Sequence, residues 1–76
     1  MEEFLRYVVR ELVEYPDQVA LKSRHEGGRL FFQLSLAESD VGRLIGKGGG
    51  TIQAVRTLLN MAAEKKGLRA SLDILD

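Results

Sequence analysis

The sequence of 76 residues contains no cysteine and no tryptophan, one proline and one histidine. Without cysteine there is no disulfide framework, no thiolate metal site and no cysteine nucleophile. The single histidine, His25, excludes the histidine-rich zinc sites and is expected to be a surface turn residue beside Glu26. We therefore expect neither a metal nor a cofactor.

Long apolar runs are also missing, and none of those present could span a membrane. The N-terminal Met1-Glu2-Glu3-Phe4 is acidic and lacks the charge pattern of a signal peptide, which predicts a cytoplasmic protein. The chain is too short for a doubly wound nucleotide-binding domain, but its 45% hydrophobic content is typical of a folded globule. We expect one domain over residues 1–76.

The chain has no net charge, yet its charges are unevenly divided. Residues 1–40 carry a net charge of −3, and residues 41–76 carry +3. No acidic residue occurs between Val41 and Ala63. Five of the eight glycines lie in this acid-free stretch, namely Gly42, Gly46, Gly48, Gly49 and Gly50. The local field decides what binds there, so this segment is a candidate anion site.

The first half of the chain is predicted to form a helix and a β-hairpin. Apolar residues spaced three and four apart predict a helix from Glu2 to Tyr15, which Pro16 ends. Alternating apolar residues predict a strand over 18–22 and a clearer one over 30–36. Gly27-Gly28 is a suitable hairpin turn between them.

The second half is predicted to contain two helices and a last strand. Ser39 is the expected cap of a short helix through Ile45, and residues 46–50 break this helix. A longer helix ends at Gly67, and a strand over 68–74 follows it. Its apolar stripe, expected to be core, consists of Ile52, Val55, Leu58, Leu59, Ala62 and Ala63.

The predicted order of elements is α-β-β-α-α-β. It predicts an α/β (α+β) fold, a two-layer sandwich. Its helices would cover one face of a three-stranded mixed sheet. The second and third strands are joined through two helices, and such a crossover allows them to be parallel.

The loop over residues 45–52, with the sequence Ile-Gly-Lys-Gly-Gly-Gly-Thr-Ile, is the candidate functional site. Glycines let the backbone turn tightly and let another molecule approach it closely. The first N–H groups of the following helix lack partners and attract anions, above all phosphate. Lys47 adds a full charge, and Arg43 and Arg56 lie within about two helical turns. An apolar floor for bases is expected from Leu44, Ile45 and Ile52.

Other glycine-rich loops fit these residues less well. A Walker loop is rejected because Gly42 to Gly46 is one residue too short and Gly48 replaces the serine or threonine. A dinucleotide-binding loop lacks its third glycine, since Thr51 occupies that position. The flanking strands disfavour a helix-hairpin-helix DNA module. A plain helix–helix turn needs one or two glycines rather than four in five positions.

The same residues resemble a known family. The Ile-Gly-Lys-Gly-Gly sequence over residues 45–49, between two helices, is similar to the I-G-x-x-G signature of the KH domain, and the order of elements resembles its type II, bacterial form. The segments 15–17, 39–47 and 54–57 resemble the KhpA (YlqC-like) family of small stand-alone bacterial KH proteins. A larger residue is usual at the position of Gly50, so a looser helix start and lower affinity are expected.

The resemblance implies a non-enzymatic protein that binds single-stranded RNA. The clamp for phosphates would be Gly46, Lys47, Gly48 and Gly49, with Leu44, Ile45 and Ile52 lining the groove and Arg43 and Arg56 attracting the strand. It further implies an RNA chaperone or post-transcriptional regulator that acts as a homodimer or with a Jag/KhpB-type RNA-binding protein, with links to cell division and cell shape.

Two other functions are weighed against RNA binding. The alternative is a protein-interaction module with little nucleic-acid affinity, in which the glycine loop serves only for shape. Phe31 on the outward side of its strand is expected to contact a partner or to pack, in preference to the alternative that it contacts a base. An enzyme is disfavoured because no nucleophile has a general base near it in the sequence.

Overall fold

The computed structural model describes residues 1–75. In chain order its elements are helix α1 (Glu2–Leu12), a 3₁₀ turn (Pro16–Gln18), strands β1 (Ala20–Glu26) and β2 (Arg29–Ser35), helix α2 (Glu38–Ile45), a 3₁₀ turn (Lys47–Gly49), helix α3 (Gly50–Glu64) and strand β3 (Arg69–Leu75). The order α-β-β-α-α-β is the predicted one and is that of the type II KH fold.

The sheet has β2 at its centre. Strand β1 pairs with it antiparallel, and β3 pairs with it parallel. Glu26 and Arg29 are the last pair before the Gly27-Gly28 turn, so the predicted hairpin is confirmed. The parallel pairing is possible because α2 and α3 together carry the chain back across one face.

The core lies between that face of the sheet and the three helices. Its buried side chains are Leu5, Val9, Phe32, Leu34, Leu44, Ile52, Val55, Leu59, Ala63, Ala70 and Leu72. The alternate strand residues point to the opposite face of the sheet, where Lys22, Arg24, Gln33 and Asp73 are exposed. The two-layer sandwich therefore has one covered face and one open face.

A buried carboxylate joins the end of α1 to α2. Asp40 has no exposed surface, and it accepts hydrogen bonds from the backbone N–H groups of Glu14 (2.9 Å) and Tyr15 (3.0 Å). Helix α1 ends at Leu12 rather than at the predicted Tyr15, because the amides that would extend it are bound to Asp40 instead.

Two further boundaries differ from the prediction. Strand β1 starts at Ala20 rather than at residue 18, because Pro16–Gln18 form a 3₁₀ turn, and it runs on to Glu26. Ser39 does not cap α2. The N-cap residue is Ala37, and no side chain of residues 1–75 forms a capping hydrogen bond at this helix start. The helix starts one residue before Ser39, which therefore lies exposed in its first turn.

The end of α3 follows the prediction, but its apolar stripe does so only in part. Leu68 N–H donates to the carbonyl oxygen of Ala63 (3.0 Å) and Gly67 N–H donates to that of Glu64 (3.0 Å), which is the glycine-terminated Schellman motif. Leu58 was predicted as core but is 50% exposed. It precedes the buried Leu59 by one residue, about 100° around the helix, and so points away from the sheet.

Candidate nucleic-acid interface

The chain changes direction between α2 and α3 at Gly46. Its φ of 77° and ψ of 170° define a backbone conformation that is essentially confined to glycine. A Cβ atom at this position would overlap the Thr51 hydroxyl and lie 2.7 Å from the Thr51 Cβ. Gly46 therefore allows the first turn of α3 to pack directly against the end of α2.

The tip of the loop is a 3₁₀ turn over Lys47–Gly49. Gly48 and Gly49 have φ values of 65° and 78°, in the left-handed region. No atom lies within 4 Å of where a Cβ of either residue would be. Among residues 1–75, no side chain caps this turn or the start of α3, whose N-cap is Gly49. The backbone at the positive end of α3 is thus open to close approach by an anion.

Lys47 places a positive charge at this tip. Its side chain is exposed and forms no ion pair with any acid in residues 1–75. Its charge is therefore available to a ligand, and it adds to the partial charge of the helix terminus.

A groove of about 660 Å³ lies beside the loop. The lining residues come from α2, the loop, the start of α3 and the end of β3, and they are Val41, Ile45, Gly49, Ile52, Gln53, Arg56, Asp73, Ile74 and Leu75. Aliphatic side chains thus stand next to a site that suits phosphate. A single nucleic-acid strand needs this combination, because its backbone is anionic and its bases have apolar faces.

The three apolar residues predicted for the groove floor differ in exposure. Ile45 is 37% exposed and lines the groove. Ile52 also lines the groove, but it is only 5% exposed and belongs to the core. Leu44 has no exposed surface and belongs to the core, contrary to the expectation that it lines the groove. Successive helical residues point in different directions, so Leu44 supports the floor from inside and offers no surface to a ligand.

Arg43 and Arg56 are both held by contacts within the protein. Arg43 donates to Glu14 Oε2 (3.3 Å) and lies 3.8 Å from Asp40 Oδ1, so two carboxylates oppose its charge. It is not among the groove-lining residues. Arg56 does line the groove, and it donates to the carbonyl oxygen of Leu72 through Nη2 (2.9 Å) and Nε (3.3 Å).

The contact of Arg56 is part of a link between α3 and the edge strand β3. Asn60 accepts a hydrogen bond from Ala70 N–H (3.1 Å) and donates to the carbonyl oxygen of Arg56 (3.2 Å). Backbone groups on the outer edge of a sheet need partners, and here side chains of α3 supply two of them. Arg56 and Asn60 thereby fix the distance between the two walls of the groove.

Sequence reasoning missed the roles of two acidic residues. Asp73 is exposed on β3 and lines the groove. Finding it required the parallel register of β2 and β3, which brings the end of β3 beside the loop. The role of Asp40 was missed because its partners are 25 and 26 residues away in the chain.

No helix in the described part of the chain is both long and apolar enough to cross a bilayer. Within the same residues, no group of three or more histidine, aspartate or glutamate side chains is arranged to hold a metal ion.

Comparison with known proteins agrees with this geometry. The family model described as KhpA/KhpB, KH domain, matches residues 2–74. RNA-binding protein KhpA of Chlamydia pneumoniae is 41% identical over 76 residues, which are 100% of this chain and 97% of that protein. The protein of the same name from Halalkalibacterium halodurans is 36% identical over the full length of both chains. That from Treponema pallidum is 39% identical over 99% of this chain and 94% of its own.

The match covers the helices, the sheet and the glycine loop together, and the relatives match over nearly their whole length. The chain belongs to the KhpA/KhpB family of KH-domain proteins.

Proposed function

We propose that this chain is a single KH domain that binds single-stranded RNA and acts without catalysis. The observation that carries the proposal is the uncapped glycine turn with Lys47 at its tip, set beside a groove with an apolar floor. Phosphates bind at the start of α3 and at the Lys47 ammonium, and bases lie chiefly on Ile45, because Ile52 offers the groove little surface. The name of the relatives, RNA-binding protein KhpA, supports RNA as the ligand.

The two arginines have different parts in this proposal. Arg56 keeps its charge at the groove wall while it positions β3. Arg43 adds less attraction, because Glu14 and Asp40 offset its charge. The clamp itself consists of Gly46, Lys47, Gly48 and Gly49.

One such clamp gives weak binding that depends on salt. A KH loop holds about four nucleotides, so about three phosphates are neutralised. Each contributes about 0.7 to the slope of log K against log salt for a single strand, and the affinity falls roughly 10- to 20-fold between about 50 and about 200 mM salt. We expect dissociation constants in the micromolar range or weaker.

Self-association, or association with a Jag/KhpB-type RNA-binding protein, raises this affinity. Two linked clamps bind one strand at a high effective concentration. Exposed apolar side chains on α3, Leu58 (50%) and Met61 (58%), are suited to such a contact. The action as an RNA chaperone or regulator follows from many weak, weakly selective contacts. A solution mass measurement at increasing protein concentration tests the pairing.

The clamp is tested by the double substitution Lys47→Asp/Gly48→Asp. Two carboxylates at the tip repel phosphate, and both positions are exposed, so the core is untouched. We expect at least a tenfold loss of affinity for a single-stranded RNA of mixed sequence, measured by fluorescence anisotropy.

Lys47→Asn/Gly48→Asn is the matched control. Asparagine has the size of aspartate and tolerates the left-handed conformation of Gly48, but it carries no charge. The affinity of this control should fall less than that of the aspartate variant, because it removes one positive charge and adds no negative ones, and its salt slope should fall by about 0.7, the share of one phosphate. Equal RNA binding by a folded aspartate variant and the wild-type protein would refute the clamp. If the wild-type protein binds no oligonucleotide at low salt but still pairs, the chain is a protein-interaction module instead.

A further inference from the structure

The open sheet face consists of the outward-facing residues of the three strands. Four of these are basic, namely Lys22, Arg24, Arg29 and Arg69, and two are acidic, Glu26 and Asp73. This face therefore has an excess of two positive charges on a chain whose net charge is zero. The excess makes it attractive to a polyanion.

Two arginines on this face lie side by side, and Glu26 lies opposite one of them, Arg29, on β1. Arg29 of β2 and Arg69 of β3 are direct partners in the parallel register. Like charges opposite each other on neighbouring strands destabilise a sheet. The nearest acid on β1, Glu26, is bound to Arg24 at 3.1 Å, and within residues 1–75 neither Arg29 nor Arg69 forms an ion pair. A bound phosphate between them would remove this repulsion.

The aromatic residue of the same face holds a third arginine in place. The guanidinium carbon of Arg24 lies 4.7 Å from the centre of the Phe31 ring, and that of Arg29 lies 5.9 Å from it. Arg24 is thus fixed by the ring below and by Glu26 beside it. A guanidinium held in this way is a stacking surface for a nucleobase.

The open sheet face adjoins the RNA groove. A second depression, of about 310 Å³, is lined by Lys22, Ser23, Arg24, Phe31, Gln33 and Asp73, and Asp73 also lines the groove beside the glycine loop. The molecule measures 23 and 18 Å across its two shorter axes. A strand longer than the four or so nucleotides that the groove holds can therefore reach this face.

We propose that the open sheet face is a second contact surface for the same RNA strand. Phosphates beyond the groove bind Lys22, Arg29 and Arg69, and a base stacks on Arg24. This rests on the proposed RNA binding at the glycine loop and extends it, because it makes affinity depend on strand length.

The test compares two variants that each lose three positive charges. The sheet-face variant is Lys22→Gln/Arg29→Gln/Arg69→Gln. The control variant is Arg10→Gln/Lys65→Gln/Lys66→Gln, whose positions are exposed and lie in or next to helices. Circular dichroism establishes that both remain folded. Their affinities are then measured, at several salt concentrations, for RNAs of about four and about twelve nucleotides.

The sheet-face variant should bind the short RNA as the control does. Its affinity for the long RNA should be at least about tenfold lower than that of the control. The slope of log K against log salt should fall by about 2, the share of three phosphates. In the wild-type protein, the ring resonances of Phe31 should shift with the long RNA and stay unchanged with the short one.

Equal binding of the long RNA by the two variants would overturn the proposal and leave the glycine-loop clamp intact. Polyglutamate serves as a probe for acidic protein partners. If the sheet-face variant no longer binds polyglutamate but still binds the long RNA like the control, the face is a protein-binding site and the proposal is likewise overturned. If the wild-type protein does not bind even the short RNA, the proposed glycine-loop clamp is refuted. The sheet-face proposal, which rests on it, is then refuted as well.

Discussion

Two segments of this chain carry backbone N–H groups that no helix hydrogen bond uses, one just after the end of α1 and one at the start of α3. After α1, the amides of Glu14 and Tyr15 bind the buried carboxylate of Asp40. At the start of α3, no side chain accepts from the backbone. The chemical groups are the same in both places. At the glycine loop, Gly49 N–H donates to the carbonyl oxygen of Gly46 (3.1 Å) and Gly50 N–H donates to that of Lys47. The difference is that the acceptor at Asp40 is a buried side chain of the protein, whereas the amides of α3 that follow this turn are left to a ligand.

The comparison assigns stability to one segment and binding to the other. A buried acceptor holds α1 against α2 and makes its contribution in the absence of any ligand. An open helix terminus contributes little to stability but is ready for an anion. Substitutions should therefore separate the two properties.

Asp40→Ala should have the largest effect on stability. It removes the buried carboxylate that two partly buried amides bind, and we expect the free energy of unfolding to fall by about 3 kcal/mol. This is a large share of the roughly 4–11 kcal/mol typical of a chain this size. Urea denaturation followed by circular dichroism measures the change.

Glu38→Ala is the control for Asp40→Ala, since both remove an acid from the first turn of α2. Glu38 is exposed, and its loss should cost less than about 1 kcal/mol. RNA affinity of the folded Asp40→Ala protein should stay within about twofold of wild type. A much larger loss of affinity at unchanged stability would reverse the assignment.

Gly46→Ala should affect both properties, because it lies where the loop joins the fold. The left-handed φ and the overlap with Thr51 should lower the free energy of unfolding by about 2 kcal/mol and displace the loop. Gly42→Ala, within α2 and with open space around it, should instead stabilise by about 0.5–1 kcal/mol. Denaturation of the two proteins side by side tests this; equal stabilities would contradict it.

Gly50→Ala should have the smallest effect, and a favourable one. Gly50 is the first residue of α3, with helical angles of −62° and −41°, and a Cβ there meets no atom within 4 Å. Alanine should stabilise the protein by about 0.5–1 kcal/mol and raise RNA affinity slightly by ordering the helix start. Thermal unfolding and anisotropy measure both, and a loss of stability would show that the added Cβ is not accommodated as proposed.

The sequence was sufficient wherever the decisive interactions are local. Periodicity predicted the order of elements, and the glycines predicted the hairpin turn, the loop and the end of α3. Contacts between residues far apart in the chain could not be predicted from the sequence. The early end of α1 depends on Asp40, the burial of Leu44 depends on how α2 packs against α1 and α3, and the place of Asp73 in the groove depends on strand register. None of these contacts leaves a periodic signal in the chain.

A single titration observes both segments at once. Amide resonances of the protein labelled with nitrogen-15 are followed while a short single-stranded RNA is added. Binding at the open helix terminus predicts progressive shifts at Gly48, Gly49 and Thr51, and none at Glu14 and Tyr15. If RNA binds while the loop amides stay fixed, or if the shifts occur at Glu14 and Tyr15, the glycine loop is not the phosphate site.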